Sequence, residues 1–219
     1  MMKTNNDIQK AKDDFKLFLF IVWNHLRLPT PTPVQFQIAD YLQEQGTKRK
    51  IIEGFRGVGK SWITSAFVCW QLWRDPQVKI LVVSASKQRA DDFSTFTQRL
   101  ISEMPLLQHL MPTNDQRQSK VAFDVAPARA SHSPSVKSLG ITSMLTGSRA
   151  DIIVADDVEA PNNSATADLR EKLLKAVKEF EAILTPKPTS QIIYLGTPQT
   201  EESIYNKLRK SGFDCRVWT

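Results

Sequence analysis

The sequence has little cysteine, little glycine and no long hydrophobic run. Its two cysteines, Cys69 and Cys215, are far apart in apolar surroundings without metal-ligand spacing, which is typical of buried free thiols in a cytoplasmic protein. No apolar run approaches the roughly twenty residues of a membrane-spanning helix, and the polar, charged N-terminus does not resemble a signal peptide. These absences argue against a disulfide-bonded secreted protein, a cysteine-ligated metal site and a membrane protein.

The overall composition is that of a globular protein. Its 219 residues are 41% hydrophobic and 24% charged, enough to bury a full core in one large domain, with or without a small appendage. The net charge of +6 mildly favours a polyanionic partner.

Glycine is scarce, with 8 residues in all, yet three fall in the octapeptide 54–61. The octapeptide fits G-x-x-x-x-G-K-[ST] between an apolar run at 50–53 and a helical pattern from Trp62, the context of a Walker A phosphate-binding loop. Glycine lets backbone N–H groups approach an anion closely. Lys60 would reach the β- and γ-phosphates and Ser61 would bind Mg²⁺. A glycine-rich turn before a helix is the alternative. The predicted nucleotide-binding residues are Gly54, Phe55, Arg56, Gly57, Val58, Gly59, Lys60 and Ser61.

A second motif, which is acidic, completes the predicted ATP site. The buried strand 152–155 ends in Asp156 and Asp157, with Glu159 two residues on, as in a Walker B motif. Asp156 is predicted to bind Mg²⁺, Asp157 is the first candidate to orient or deprotonate water, and Glu159 is the second. An acidic loop that serves solubility or helix capping is the alternative.

Strand-like apolar runs alternate with helical patterns along the chain. This order predicts an α/β fold, a mostly parallel central sheet flanked by helices, with the ligand at the carboxyl ends of the strands. A strand at 79–84 separates the loop from the acidic motif, which favours the RecA-like (ASCE) branch of P-loop ATPases. The predicted helices include one over 7–26, and the predicted strands include 50–53, 121–125, 135–141, 191–195 and 215–218.

Several of these stretches, in this order, resemble the N-terminal ATPase domain of the large terminase subunit, the DNA-packaging motor protein of tailed bacteriophages. The resemblance covers 33–208 and is greatest to short-tailed phages, whose loop reads Gly-Phe-Arg-Gly-x-Gly-Lys-Ser, as 54–61 does. It implies ATP hydrolysis with Mg²⁺ that moves double-stranded DNA into a procapsid. The implied partners are the portal protein and the small terminase subunit, in the host cytoplasm and without a membrane. A ring is expected when assembled; a monomeric isolated domain is the alternative.

The resemblance also implies roles for upstream and loop residues. Gln35, in Thr32-Pro33-Val34-Gln35, would recognise adenine, because an amide can donate and accept one hydrogen bond each; a plain polar residue at a helix start is the alternative. Arg56 would stabilise charge on the γ-phosphate in the transition state, with a salt bridge to Glu159 or Asp157 as the alternative. The family more often has Asp followed directly by Glu, so the catalytic carboxylate, Asp157 or Glu159, stays open.

Two further features are implied by the resemblance. The stretch Gly196, Thr197, Pro198 and Gln199 matches the motif that couples γ-phosphate loss to DNA movement, and a turn with proline in its usual place is the alternative. Arg149, and second Arg129, are candidates for an arginine finger donated to a neighbouring subunit. Either arginine could equally be a solvated charge or a DNA phosphate contact.

The expected organisation is a helical segment at 1–30 packing on an ATPase domain at 31–219, without the C-terminal nuclease domain of terminases. The chain is therefore expected not to cut DNA. Two alternatives are a superfamily-two helicase-like translocase, which would need a second RecA-like domain, and a non-motor module that uses ATP as a switch.

Overall fold

A computed structural model describes residues 5–143, 145, 147–198 and 200–219. Its helices are α1 (Asn5–Asp13), α2 (Phe15–His25), α3 (Pro33–Gln43), α4 (Lys60–Arg74), α5 (Lys87–Glu103), α6 (Pro161–Ser164), α7 (Ala167–Ile183) and α8 (Ile204–Lys210), with a 3-10 turn at Gln108–Leu110. Its strands are β1 (Arg49–Gly54), β2 (Ile80–Ser84), β3 (Ala122–Phe123), β4 (Val136–Gly140), β5 (Ile152–Asp156), β6 (Gln191–Gly196) and β7 (Asp214–Trp218).

The strands form a sheet of order β3-β4-β2-β5-β6-β1-β7. All neighbours are parallel except β3 and β4, so the predicted, mostly parallel α/β sheet is confirmed. The carboxyl ends of the parallel strands share one edge, where β1 ends at Gly54 and β5 ends at Asp156. β6 lies between these two strands.

Helices cover both faces of the sheet. Ile52, Val82 and Val154 face the cluster that includes α2 and α4, whereas the alternate residues Ile51 and Val83 face the cluster of α7 and α8. Burial on both faces explains why these strands are continuous apolar runs instead of alternating ones. Among the described residues, every helix is too short or too polar to cross a membrane.

The N-terminal helical segment differs from the prediction. The prediction of a single helix over 7–26 is wrong, because the helix is interrupted at Asp14. The side chain of Asp14 accepts a hydrogen bond from the backbone N–H of Lys16 and caps α2. Both helices pack on the core: the indole N–H of Trp70 donates to the carbonyl of Ala11 at 3.0 Å, and the Phe15 ring meets the Phe67 ring edge-on.

The cysteines match the prediction only in part. Both are free thiols, but Cys69 is buried whereas Cys215, on the edge strand β7, is half-buried. Burial raises the pKa of both thiols, that of Cys215 to about 11. Neither is therefore a reactive thiolate at neutral pH.

Lys50 on β1 is a fully buried lysine. Its Nζ donates to the carbonyl of Leu42 at 3.0 Å and to that of Glu44 at 2.7 Å, and these hydrogen bonds cap the C-terminal end of α3. A neutral amine keeps two N–H groups, enough for both carbonyls. Burial lowers the pKa of Lys50 to about 8.

This pKa predicts a specific pH dependence of stability. Between pH 8 and the ordinary lysine pKa of 10.5, the unfolded chain binds more protons at this position, so stability should rise with pH. The free energy of unfolding, measured by urea titration at pH 8 and pH 9.5, should rise more in the wild type than in Lys50→Met. An equal change in both proteins would contradict the prediction.

Candidate ATP-binding site

The predicted phosphate-binding loop joins β1 to α4 at the carboxyl edge of the sheet. Gly57 has φ 91° and Gly59 has φ 85°, a left-handed backbone that other residues adopt only with strain. Gly59 is also the N-cap of α4, a helix of 15 residues. The loop therefore turns backbone N–H groups and a helix N-terminus toward the same point, an arrangement that favours an anion.

Lys60 is buried inside the curve of this loop. Its Nζ donates to the carbonyl of Gly54 at 2.7 Å and of Phe55 at 3.3 Å, and to Oγ1 of Thr197 at 3.4 Å. Burial lowers the pKa of Lys60, and the nearby carboxylates of Asp157 and Asp156 oppose that change. A cation is thus held within the loop by groups that a phosphate could replace.

Ser61 and Asp156 join the loop to the acidic strand. Ser61 Oγ donates to Asp156 Oδ1 at 3.1 Å. Burial raises the pKa of Asp156 to about 6, and the hydrogen bond from Ser61 opposes that increase, so the carboxylate is ionised at neutral pH.

The oxygen atoms of Ser61 and Asp156 are of the kind that Mg²⁺ prefers. Among the described residues, no cluster of three or more His, Cys, Asp or Glu side chains could hold a metal by itself. That fits Mg²⁺ bound with ATP, which takes one or two carboxylates together with phosphates and waters.

The two candidate catalytic carboxylates have different surroundings. Asp157 has φ 46°, and its N–H donates to the carbonyl of Leu195 at 2.8 Å. Glu159 is buried, and its Oε2 accepts from Ser203 Oγ and, at 3.3 Å, from the N–H of Ile204. Glu159 is therefore fixed to the start of α8. Of the two carboxylates, Asp157 is the one whose negative charge raises the pKa of Lys60.

A cleft of about 810 Å³ brings half of the predicted site residues together. It is lined on one side by the loop and the acidic motif and on the other by the segment that precedes α3. Its lining includes Leu28, Pro29, Thr32, Gln35, Arg56, Gly57, Gly59, Lys60, Ser61, Trp62, Arg89, Asp157, Glu159 and Thr197.

Gln35 links α3 to the loop. Its Oε1 accepts the N–H of Thr32 in a capping box, and its Nε2 donates to the carbonyl of Val58 at 3.0 Å. Gln35 therefore does serve as a polar residue at a helix start, which is the alternative to adenine recognition. Adenine recognition stays a prediction, since each amide atom keeps capacity for one more hydrogen bond.

Two arginines line the cleft. Arg56 is exposed, and among the ion pairs of the described residues none joins it to Asp157 or Glu159. Arg89 was not predicted. It lies in the first turn of α5, just after the carboxyl end of β2, and a cation at that place in the strand-helix order is the signal that would have identified it.

The coupling motif follows β6 directly. Thr197 Oγ1 donates to the carbonyl of Gly54 at 3.0 Å, which ties this motif to the loop. Gly196 packs against the ring of Tyr205, so closely that an added Cβ would lie 2.0 Å from Tyr205 Cζ. Pro198 follows outside any regular element, and Gln199 lies outside the described residues.

The two arginine-finger candidates lie at the opposite edge of the sheet. Arg149 precedes the amino end of β5, and its Nη1 donates to the carbonyl of Ala182 at 2.8 Å. The N–H of Arg129 donates to Gln77 Oε1, just before β2. Neither arginine is placed at the cleft of its own chain, and their role toward a neighbour stays a prediction.

Comparison with known protein families identifies the family of the chain that carries this site. The family described as "Phage terminase large subunit gpA, ATPase domain" matches residues 27–210. The chain belongs to this family. It is thus a terminase ATPase domain, whose family description names ATP hydrolysis, and the resemblance noted in the sequence is confirmed.

The terminase large subunit of Enterobacteria phage T3 is a similar protein, 55% identical over 212 residues. The match covers 96% of this chain and 36% of that protein, so this terminase domain spans about a third of the length of its relative.

Two solved structures are similar to this terminase domain. Yeast (S. cerevisiae) Dbp5, in a structure with Nup159, Gle1, IP6 and ADP, matches 92% of this chain and 52% of its own, with TM-score 0.59 and 14% identity. The large terminase ATPase domain of Thermus phage P74-26 matches 81% of this chain and 68% of its own, with TM-score 0.47 and 14% identity. The first likeness shows a shared fold only, so it gives the helicase-like alternative no support comparable with the family match.

Proposed function

We propose that this terminase domain binds ATP with Mg²⁺ in the 810 Å³ cleft and that its hydrolysis drives double-stranded DNA into a procapsid. The supporting observation is the hydrogen bond between Ser61 and Asp156, which joins the acidic strand to a loop residue that lines the cleft. During packaging, the portal protein and the small terminase subunit would be partners of a ring docked on the procapsid in the host cytoplasm.

The residues of the loop and the acidic strand have distinct proposed roles. Lys60 exchanges the carbonyls of Gly54 and Phe55 for β- and γ-phosphate oxygens, and Arg56 adds a second positive charge from the exposed side. Ser61 and Asp156 would hold Mg²⁺. Mg²⁺, when bound with ATP, supplies charge neutralisation across the β- and γ-phosphates.

The surroundings of the two carboxylates favour Glu159 as the group that orients or deprotonates water. Glu159 has the longer side chain and is held by two donors, whereas Asp157 acts electrostatically on Lys60. Fixed placement matters because a general base must lie within hydrogen-bond reach of the water it activates. Thr197, bonded to both Gly54 and Lys60, would then register the loss of the γ-phosphate.

The proposal is tested by measuring phosphate release from ATP with the purified domain, with Mg²⁺ or with EDTA, and with or without double-stranded DNA. Release should require Mg²⁺ and should increase with DNA. Mg²⁺-dependent release that DNA leaves unchanged would support the nucleotide site and count against a DNA-driven motor in this domain. The absence of release under every condition would overturn the hydrolytic proposal.

A further inference from the structure

The carboxylate of Glu159 is bonded to the start of α8. Its Oε2 accepts the hydroxyl of Ser203 and the N–H of Ile204, and all of these groups are buried. Glu159 and Ser203 are 44 residues apart in sequence, so this contact joins the acidic motif after β5 to the helix that follows β6.

Ser203 suits this position because a hydroxyl donates and accepts at once. It donates to Glu159, and its Oγ accepts the N–H of Tyr205 at 3.4 Å as the N-cap of α8. Its own N–H donates to the carbonyl of Thr200 at 3.1 Å. Ser203 is completely buried, so water cannot replace its hydrogen bond to the carboxylate.

The same helix also contacts the coupling motif. The hydroxyl of Tyr205 donates to the carbonyl of Leu195 at 3.3 Å, and its ring lies against Gly196. The start of α8 therefore contacts both Glu159 and the end of β6, from which Thr197 reaches the loop.

We infer that Ser203 is the positioning residue that orients the Glu159 carboxylate toward the cleft. In this inference, α8 is the element that links the orientation of the carboxylate to the coupling motif. This inference rests on the proposed function. A residue that only capped α8 would affect stability alone. A positioning residue changes the rate of hydrolysis through Glu159.

The experiment compares Ser203→Gly with Ser203→Thr. Glycine is tolerated at an N-cap almost as well as serine, so Ser203→Gly removes the hydroxyl and keeps the helix start. Its kcat for ATP should fall roughly 10- to 100-fold, as expected from a displaced reacting group, while KM changes less than about twofold because phosphate binding is untouched. Ser203→Thr keeps a hydroxyl and should restore most of the rate.

Three further measurements separate positioning from stability. Ser211→Ala, at the other end of α8, removes an exposed hydroxyl that bonds only the carbonyl of Lys207 among the described side-chain contacts, and should leave kcat unchanged. Thermal unfolding of each variant shows whether α8 is intact. In a Glu159→Gln background, where the carboxylate is already lost, Ser203→Gly should lower kcat by less than about twofold more.

The outcomes distinguish the two proposals. A wild-type rate in Ser203→Gly, or an equal loss in the Glu159→Gln background, would overturn the role of Ser203 and leave the proposed function standing. A wild-type domain without Mg²⁺-dependent turnover would overturn the proposed function itself.

Discussion

Lys60→Ala should lower ATP turnover by about 10³-fold, the scale expected when a fixed positive group at the transition state is removed. Lys60 is buried at the centre of the loop, with its Nζ 2.7 Å from the carbonyl of Gly54. Alanine removes the charge that would meet the β- and γ-phosphates and leaves the backbone cradle in place. Phosphate release measures the turnover, and titration with a fluorescent ATP analogue measures the accompanying loss of affinity.

Lys175→Ala is the matched control for Lys60→Ala. Lys175 is exposed on α7, and its ion pair among the described residues is with Glu171, at 2.9 Å one helical turn away, an interaction of a few tenths of a kcal/mol. Its removal should leave turnover unchanged. Turnover of Lys60→Ala within tenfold of the wild type, in a protein that unfolds at the wild-type temperature, would refute the assignment of the loop.

Gly196→Ala should destabilise the domain by about 3 kcal/mol, the upper range for overpacking a buried site. The added Cβ would lie 2.0 Å from Cζ and 2.3 Å from the hydroxyl oxygen of Tyr205. That ring is fully buried in the α7–α8 layer, so it cannot move aside without displacing α8. Urea denaturation gives the loss of stability.

Two further variants test the cause of that loss. Gly212→Ala adds a Cβ with no heavy atom within 4 Å at a backbone of φ 93°, so it should cost only about 1–2 kcal/mol of backbone strain. Tyr205→Leu removes the atoms that the new Cβ meets. The double variant Gly196→Ala/Tyr205→Leu should therefore be more stable than the sum of the two single losses predicts. Additive losses would show that overlap with the ring is not the cause.

Local chemistry made much of the fold and part of the site predictable from sequence. The loop at 54–61 is recognisable because glycine, lysine and serine must stand at fixed spacing to surround a phosphate. The strand before Asp156 is recognisable because burial on both faces demands an unbroken apolar run. Since both strands end at the same edge of a parallel sheet, the meeting of Ser61 and Asp156 could be expected before any coordinates.

Other features depend on contacts that no local pattern encodes. Nothing near Ser203 indicates that it bonds a carboxylate that follows a different strand. The break at Asp14 was missed because the apolar spacing runs on through it, whereas the aspartate prefers to cap the second helix. The Ser203 contact arises from packing between distant segments, which sequence spacing does not record, whereas the Asp14 cap is a local signal that the apolar spacing masks.

The placement of Arg149 and Arg129 has a consequence for subunit symmetry. Both arginines lie at the amino edge of the sheet, and the proposed ATP cleft lies at the carboxyl edge. If either arginine serves a neighbouring cleft, the amino edge of one subunit must meet the carboxyl edge of the next. A head-to-tail array makes this contact once in each interface and closes into a ring when its rotation allows. An antiparallel two-fold dimer makes the same contact twice in one interface and ends there, so the two assemblies differ in the number of arginine-cleft contacts at each interface.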